Sequence, residues 1–452
     1  MVPSVRVVVV NYNGGELIGR CLEHLRATEW PRDRLELVVV DNASSDGSAD
    51  GIARRFPDVR LIRSPRNTGF AGGCNLGMRD LGSVDQVALV NSDAFVTPGW
   101  LAPLSEVLTA DRSVGAACPK ILFAPRFVEV ELAADADVPG SHDPRRLGVR
   151  LSGVRCGDLD GWPWAGFERG FYWAETDHSV AGEPQFRWSM PNASLWAPVP
   201  EEAEPLTSVE LRMAAVRDKP VTVSSGSGVT TVTVGPTPQW FRLPADGGRF
   251  DVVNNAGSVL MEGGHGADRG FWERDQGQYD QTSEVFAWCG AAVLLSVEYL
   301  RDVGLFCEQY FLYYEDFDLS WRGRSRGWRY LFVPASVVRH VHAASTIEGS
   351  PLFEHYVRRN RLLTLAKNAP LSCAAKQVWG FVDESRRLAT QELVLPLLRR
   401  QRPRPTHTRR QVQAGAAFVK HLPHALRARR KVMSRATVHR TELMGWTIPS
   451  RA

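Results

Sequence analysis

The first 93 residues repeat one pattern, and that pattern leaves few folds open. Val5 to Val10 is a near-continuous β-branched run that stops at Asn11-Tyr-Asn-Gly-Gly15. Glu16 to Arg26 then carries Leu17, Ile18, Cys21, Leu22 and Leu25 on one helical stripe. Leu35 to Val40 is a second such run, ending in Asp41-Asn-Ala-Ser-Ser-Asp-Gly-Ser48, and Ile52 to Phe56 opens another helical segment. Val59 to Arg63, a Gly-rich turn from Ser64 to Gly77, and Val87 to Val90 repeat the cycle. Strands apolar on both sides need cover on both faces, which a strand–helix alternation supplies, so an α/β fold with a mostly parallel open sheet is predicted. Ligands of such sheets bind beyond the carboxyl ends of the strands. There this chain collects its polar residues: Asn11 to Asn13, Asp41 to Asp46, Asn67 to Asn75, and Asn91-Ser-Asp93.

After Phe123 the period changes. Phe127 to Leu132 and Leu147 to Val154 alternate, and Pro220 to Val234 is two alternating runs about a Gly/Ser turn, a hairpin signature. A β-rich insert over 125–250, built as an antiparallel sandwich, is expected between an α/β half at 1–124 and its continuation at 251–369. Aromatic residues are dense between Trp162 and Trp196. They serve either as a sugar-stacking surface or as the core and corner of the sandwich.

Residues 370–452 form a helical region in which the basic excess of a chain of net charge +4 is concentrated. Leu422, Ala425 and Leu426 sit among those charges at helical spacing. Two readings stand: a basic amphipathic helix on an anionic membrane surface, or a tail helix packed on its own domain. Few aromatics accompany the charge, so nucleic acid is not expected as a partner. The seven cysteines are scattered and form no CxxC pair, which argues against a disulfide framework or a zinc site. No basic-then-apolar leader opens the chain, and the longest apolar run, Val285 to Val297, is too short to span a bilayer. A cytoplasmic protein is the expectation, peripheral at the inner membrane face on the first of the two readings of its basic tail.

Phe311-Leu-Tyr-Tyr-Glu-Asp-Phe-Asp-Leu-Ser-Trp321 crowds Glu315, Asp316 and Asp318 between aromatic rings. If a helix begins near Asp316, then Asp316, Ser320 and Arg324 share one face, with Phe317 and Trp321 on another. Helix capping and an Asp318 to Arg322 ion pair would account for these acids without chemistry.

Four segments together, Asn11-Tyr-Asn-Gly14, Val39 to Ser48, Asn67-Thr-Gly-Phe-Ala-Gly-Gly-Cys-Asn75 and Leu89-Val-Asn-Ser-Asp93, resemble the amino-terminal half of a family 2 glycosyltransferase of GT-A fold, in its rhamnosyltransferase-like branch. Trp288 to Leu295, Phe311 to Trp321 and Pro334 to His342 resemble the acceptor half of the same enzymes. The resemblance implies a metal-assisted, inverting transfer from a dTDP- or UDP-sugar, rhamnose first, to a cell-wall, capsular or lipid-linked glycan. It implies Asp316 as catalytic base with Glu315 positioning the acceptor or supporting the loop. Asn11, Tyr12, Asn13, Asp41, Asn67, Gly69, Asn75 and Asn91 would bind the donor. Asp93 and His340 would hold Mg²⁺ or Mn²⁺, with His342 as the alternative to His340. Trp288, Gly290 and Tyr314 would face the acceptor. Asp41 accepts the ring N–H of the base in this reading, although its segment is also a good turn sequence. Cys307 and Asn91 depart from the family pattern, each standing where an acid is usual. A catalytically silent glycan- or nucleotide-binding scaffold and a membrane-surface adaptor built on the basic tail are the competing readings.

Overall fold

A computed structural model describes residues 2–139, 143–176, 185–200, 208–342 and 349–449. The chain divides into two compact units, Met1–Leu122 with Val253–Ala452, and Phe123–Val252.

The first unit opens with β1 (Val5–Asn11), α1 (Leu17–Arg26), β2 (Leu35–Asp41), α2 (Ser48–Arg55), β3 (Arg60–Arg63), α3 (Gly69–Gly77), β4 (Gln86–Asn91), β5 (Ala94–Val96), α4 (Leu101–Ala110) and β6 (Val114–Phe123). Strand β1 runs parallel between β2 and β4, in register from Val5↔Leu35 to Asn11↔Asp41 on one side and Val5↔Gln86 to Val10↔Asn91 on the other. Strand β3 extends the parallel set beyond β2. The β-branched runs are buried as their composition demands, Val8, Val38, Val40 and Leu89 sharing one core. The shared register brings the polar ends of β1, β2 and β4 to one edge.

The second unit is built from β7 (Arg126–Ala134), β8 (Arg150–Cys156), β9 (Leu159–Asp160), β10 (Gly166–Phe171), β11 (Arg187–Val199), β12 (Ser208–Ala214), β13 (Lys219–Ser225), β14 (Gly228–Val234) and β15 (Gln239–Pro244). Its order is β14-β13-β7-β11-β8-β12-β15, every pair antiparallel. The sequence pattern suggested two packed sheets; the observed arrangement is one continuous sheet. The long β11 pairs with β7 through its second half and with β8 at Arg187 and Trp188. The sheet closes on Val130, Leu132, Leu195, Leu211, Val221 and Leu243, and Gly228 N–H donates to Asp246 Oδ1 at 2.9 Å to join its ends. Phe167 and Phe171 pack against that core, whereas Trp173 is exposed.

The chain then re-enters the first unit as β16 (Val252–Asn255), β17 (Ser258–Met261), β18 (Gly266–Asp268), β19 (Glu273–Arg274), β20 (Ser283–Glu284), β21 (Ala292–Ser296), α5 (Val297–Val303), α6 (Glu315–Arg324) and β22 (Arg329–His340). The large sheet is mixed, which corrects the expectation of a mostly parallel one. Strand β21 lies antiparallel between β4 and β6, β16 antiparallel to β6, and β22 antiparallel to β5. A strand buried on both faces reads as the same apolar run in either direction, so the sequence carried no sign of orientation.

Helices α7 (Pro351–Asn368), α8 (Leu371–Ala389), the short α9 (Leu395–Leu398) and α10 (Thr406–Arg435) follow in the same unit. Ala414, Phe418 and Ala425 of α10 pack with Leu362, Leu363 and Ala366 of α7 and Phe381 of α8. Arg429 Nη1 donates to the carbonyls of Ala366 and Ala369 at 2.9 and 2.7 Å. Ala425 therefore faces the protein and Leu426 faces away. Among the described residues no helix is long and apolar enough to cross a membrane.

Candidate active site

A cleft of about 470 Å³ opens at the carboxyl ends of β1, β2 and β4. Tyr12, Asn42, Asn67, Gly69, Asn91 and Asp93 line it from the amino-terminal half. Gly290, Tyr314, Glu315, Asp316, Asp268 and His340 line it from the later half. Segments some 200 residues apart in sequence thus share one cavity.

Not every anticipated side chain reaches it. Asn11 is fully buried and donates through Nδ2 to Asp41 Oδ1 at 2.9 Å and Ser48 Oγ at 2.9 Å, so its amide orients the carboxylate that β-pairing places beside it. Asp41 also accepts from Ser44 N–H at 3.3 Å and stands outside the cavity lining. Asn13 bridges to the β2–α2 loop, its Oδ1 accepting from Ser45 N–H at 2.8 Å. Asn75 spends its amide on the backbone of Phe306, donating and accepting at 3.0 Å. Trp288 belongs to the large core and is fully buried. Gly69 lies at φ +72°, and a Cβ there would stand 2.2 Å from the carbonyl oxygen of Phe311. Its freedom is used for the close approach of the two halves as well as for the cleft wall.

Asp93 and His340 meet across β5 and β22, Asp93 Oδ1 lying 3.2 Å from His340 Nε2. His340 Nδ1 is 3.0 Å from Asn254 Oδ1, an atom that only accepts, so Nδ1 carries a proton. Nε2 then meets the carboxylate either protonated or with its lone pair, and a cation shared by the two atoms would satisfy the second arrangement. Burial alone would raise the Asp93 carboxyl, but the facing His340 ring, in its protonated form, and its hydrogen bond hold it below the usual range. Among the described residues no group of three or more His, Cys, Asp or Glu could hold a metal unaided. The pair suits an ion that takes its remaining oxygens from a bound ligand. His342 also lines the cleft, its Nδ1 3.2 Å from Asn254 Nδ2.

The acidic wall rests on a strained loop. Phe311, Tyr313 and Tyr314 all have φ between 64° and 69°, a region that costs non-glycine residues of order 1–3 kcal/mol each. Asn360 of α7 offsets this: its Nδ2 lies 2.9, 2.8 and 2.7 Å from the carbonyl oxygens of Tyr310, Leu312 and Tyr313. Arg359 Nη2 holds the carbonyls of Gln309 and Tyr310, each at 2.8 Å. Tyr314 is the left-handed residue from which α6 starts, and no side chain caps it.

Glu315 and Asp316 follow at once, both buried in the cleft wall. Asp316 does not serve merely as a cap. Its Oδ2 accepts from Gly290 N–H at 2.9 Å and its Oδ1 from Phe317 N–H at 2.7 Å. Burial raises its pKa to about 6, the two N–H donors opposing and Asp268 adding to the rise. Glu315 is pushed well above the ordinary carboxylate range by burial and by the charge of Asp316, and its Oε2 has no partner among the described residues. Asp268 is raised by burial too, despite a 2.5 Å bond from Asn255 Nδ2. Asp318 points the other way, into the core, where Lys367 at 2.7 Å and Arg322 at 3.0 Å outweigh burial and bring its pKa to about 2. Three neighbouring acids thus occupy three environments, and Asp316 alone faces the cleft with a pKa near neutrality.

Residues 6–134 match the description "Glycosyl transferase family 2". The chain carries a glycosyl transferase family 2 domain. That domain accounts for the parallel half of the cleft, from Tyr12 to Asp93. Among similar proteins, an N-acetylglucosaminyl-diphospho-decaprenol L-rhamnosyltransferase of Mycobacterium tuberculosis is 30% identical over 132 residues, covering 27% of this chain and 42% of that protein. Glycosyltransferase AglE of Haloferax volcanii is 40% identical over 104 residues, covering 22% and 33%. The match therefore spans less than half the length of these relatives. Among solved structures, GalNAc-T7 with UDP, GalNAc and Mn²⁺ aligns at a TM-score of 0.42 with 14% identity, over 81% of this chain and 48% of that one. The family 2 domain ends near the start of the second unit, so the acidic wall at Glu315 and Asp316 lies outside the match.

Sequence reasoning passed over Asp268, Asn254 and Asn360. Asn254 and Asn255 occur in a short polar break at the end of β16. An Asn pair closing an apolar strand, with an acid 13 residues on, was the available signal.

Proposed function

We propose that this cleft transfers a sugar from a nucleoside-diphosphate donor to an acceptor hydroxyl with inversion at the anomeric carbon. The observation that carries this reading is Asp316: a carboxylate fixed by two backbone N–H groups, with a pKa of about 6, in the same cavity as the Asp93–His340 pair. A general base works best when its pKa lies near the working pH. Asp316 takes the proton as the acceptor oxygen bonds to the anomeric carbon. The bond from that carbon to the diphosphate oxygen breaks, and its electron pair leaves with the nucleotide. Glu315, held neutral, can donate a hydrogen bond to the acceptor.

Asp93 and His340 would hold a divalent ion, Mg²⁺ or Mn²⁺, whose chemistry is to neutralise charge on the departing diphosphate. Tyr12, Asn67 and Asn91 reach the donor side of the cleft, and Gly290 and Tyr314 the acceptor side. Asp41 is kept as the base reader in this proposal from behind the lining: its neighbour Asn42 lines the cleft, and each Asp41 oxygen keeps a lone pair beside its bond to Asn11 or Ser44. A dTDP- or UDP-sugar is the donor, rhamnose first, given the rhamnosyltransferase among the relatives. The acceptor is a glycan, lipid-linked in the leading form of the proposal, since Leu352, Phe353 and Val357 give the cleft an apolar margin.

The test is a thermal-shift panel of dTDP, UDP and GDP with and without chelator, followed by transfer assays and an NMR assignment of the product anomer. Stabilisation by a pyrimidine nucleotide that chelator weakens, and an inverted product, are expected. A retained anomer, or binding with neither transfer nor hydrolysis across nucleotide sugars, would refute it.

A further inference from the structure

The side of α10 turned away from α7 has no role in the cleft. Its inner face is buried through Ala414, Phe418 and Ala425, yet Val412, Val419, Leu426 and Met433 recur every seven residues on the outside. They are 58%, 65%, 42% and 53% exposed, far more than an apolar stripe needs to be on a helix already packed. Beside them stand exposed Arg409, Lys420, Arg427, Arg430 and Lys431, none of which forms an ion pair among the described residues. Leu397 and Leu398 protrude where α8 gives way to α10, and Arg399, Arg400, Arg402 and Arg404 follow directly. From Leu393 to Thr441 the sequence has 13 Arg and Lys and no Asp or Glu, so the rest of the chain is net acidic.

Charge decides among the possible occupants. A second copy would bring the same unpaired cations against these, which like-charge repulsion opposes. Nucleic acid would use the cations but leave the valines and leucines in water, with no aromatic ring in the stripe to stack on a base. A bilayer with anionic headgroups takes both: apolar side chains enter the headgroup and acyl boundary while flanking Lys and Arg pair with phosphates. We propose that the outer face of α10, with the Leu397–Leu398 tip, lies in the surface of an anionic lipid bilayer.

This assignment needs nothing from the proposed reaction, but it fits a lipid-linked acceptor. Helix α7 carries Phe353 and Val357 on the cleft, and its neighbouring edge packs on α10, where Gln411 accepts from Arg358 Nη1.

The full chain is sedimented with vesicles of phosphatidylcholine alone or with phosphatidylglycerol added. It should pellet only with the anionic vesicles. Val419→Asp with Leu426→Asp, and separately Lys420→Glu with Arg427→Glu, should each lower partitioning by about tenfold or more. These positions are exposed, so circular dichroism, Tm and nucleotide affinity should not change. Transfer to a water-soluble acceptor, which reads the reaction independently, should also be unchanged. A chain that stays in the supernatant, an aspartate variant that binds as well as the parent, a dimer that these substitutions dissolve, or preferential capture of nucleic acid would each overturn the assignment.

Discussion

Asp316→Asn offers a test of the electrostatics that needs no substrate. In an unfolded chain this carboxyl ionises near 3.8, and in the folded cleft at about 6. A raised folded value means that the folded state is favoured by protonation. The site's full stability is present below pH 3.8 and is lost as pH rises through 6. At pH 8 the buried charge costs about 3 kcal/mol relative to the protonated form, from roughly two pH units at 1.36 kcal/mol each. About half of that develops between pH 5 and 8. An asparagine at 316 cannot ionise. It keeps a constant penalty of about 1–3 kcal/mol, because its one carbonyl oxygen cannot satisfy both Gly290 and Phe317. The constant part cancels when the comparison is made across pH. At about 2 °C per kcal/mol for a unit of this size, Tm of the variant minus Tm of the parent should rise by about 3 °C from pH 5 to pH 8. Differential scanning calorimetry across that range reads it directly. A difference that stays flat or shrinks would refute the claim that burial raises this carboxyl.

Other outcomes follow from the same geometry. Asp93→Ala should weaken nucleotide binding and remove its sensitivity to chelator in titration calorimetry; affinity that remains equally chelator-sensitive counts against Asp93 as a ligand. Asn360→Ala releases three carbonyls of the strained loop and should lower kcat by about tenfold or more, with little change in donor affinity, because aiming of Asp316 is lost while the donor wall is untouched. An equal loss in donor affinity would show a general unfolding of the cleft instead. Asp318→Ala leaves Lys367 and Arg322 buried without their anion and should cost about 3–5 kcal/mol, seen as a fall in Tm; a change within 1 °C would contradict the buried pairing.

The parallel half of the fold was legible because β-branched runs and polar strand ends repeat locally, and register then placed Asn11 beside Asp41 without further information. Direction of β21 was not, since Ala292 to Leu295 is apolar throughout and buried either way. The acids of 315–318 stood out in sequence, but their separation into a cleft carboxylate and a core ion pair depends on Lys367, 49 residues downstream of Asp318. Asn360 gave no local warning because its work is done on backbone carbonyls of another element. In the tail, helical spacing was visible, yet only the packing of α10 on α7 shows that Ala425 faces inward and Leu426 outward.

If one carboxylate in this cleft removes the acceptor proton, the pH dependence of transfer registers its ionisation. The expected kcat/KM falls tenfold per pH unit below about 6 and levels off above it, with Asp316→Asn slower by at least about a thousandfold at every pH while donor affinity is retained. A variant that turns over within tenfold of the parent, or a parent profile without a break near pH 6, would contradict it.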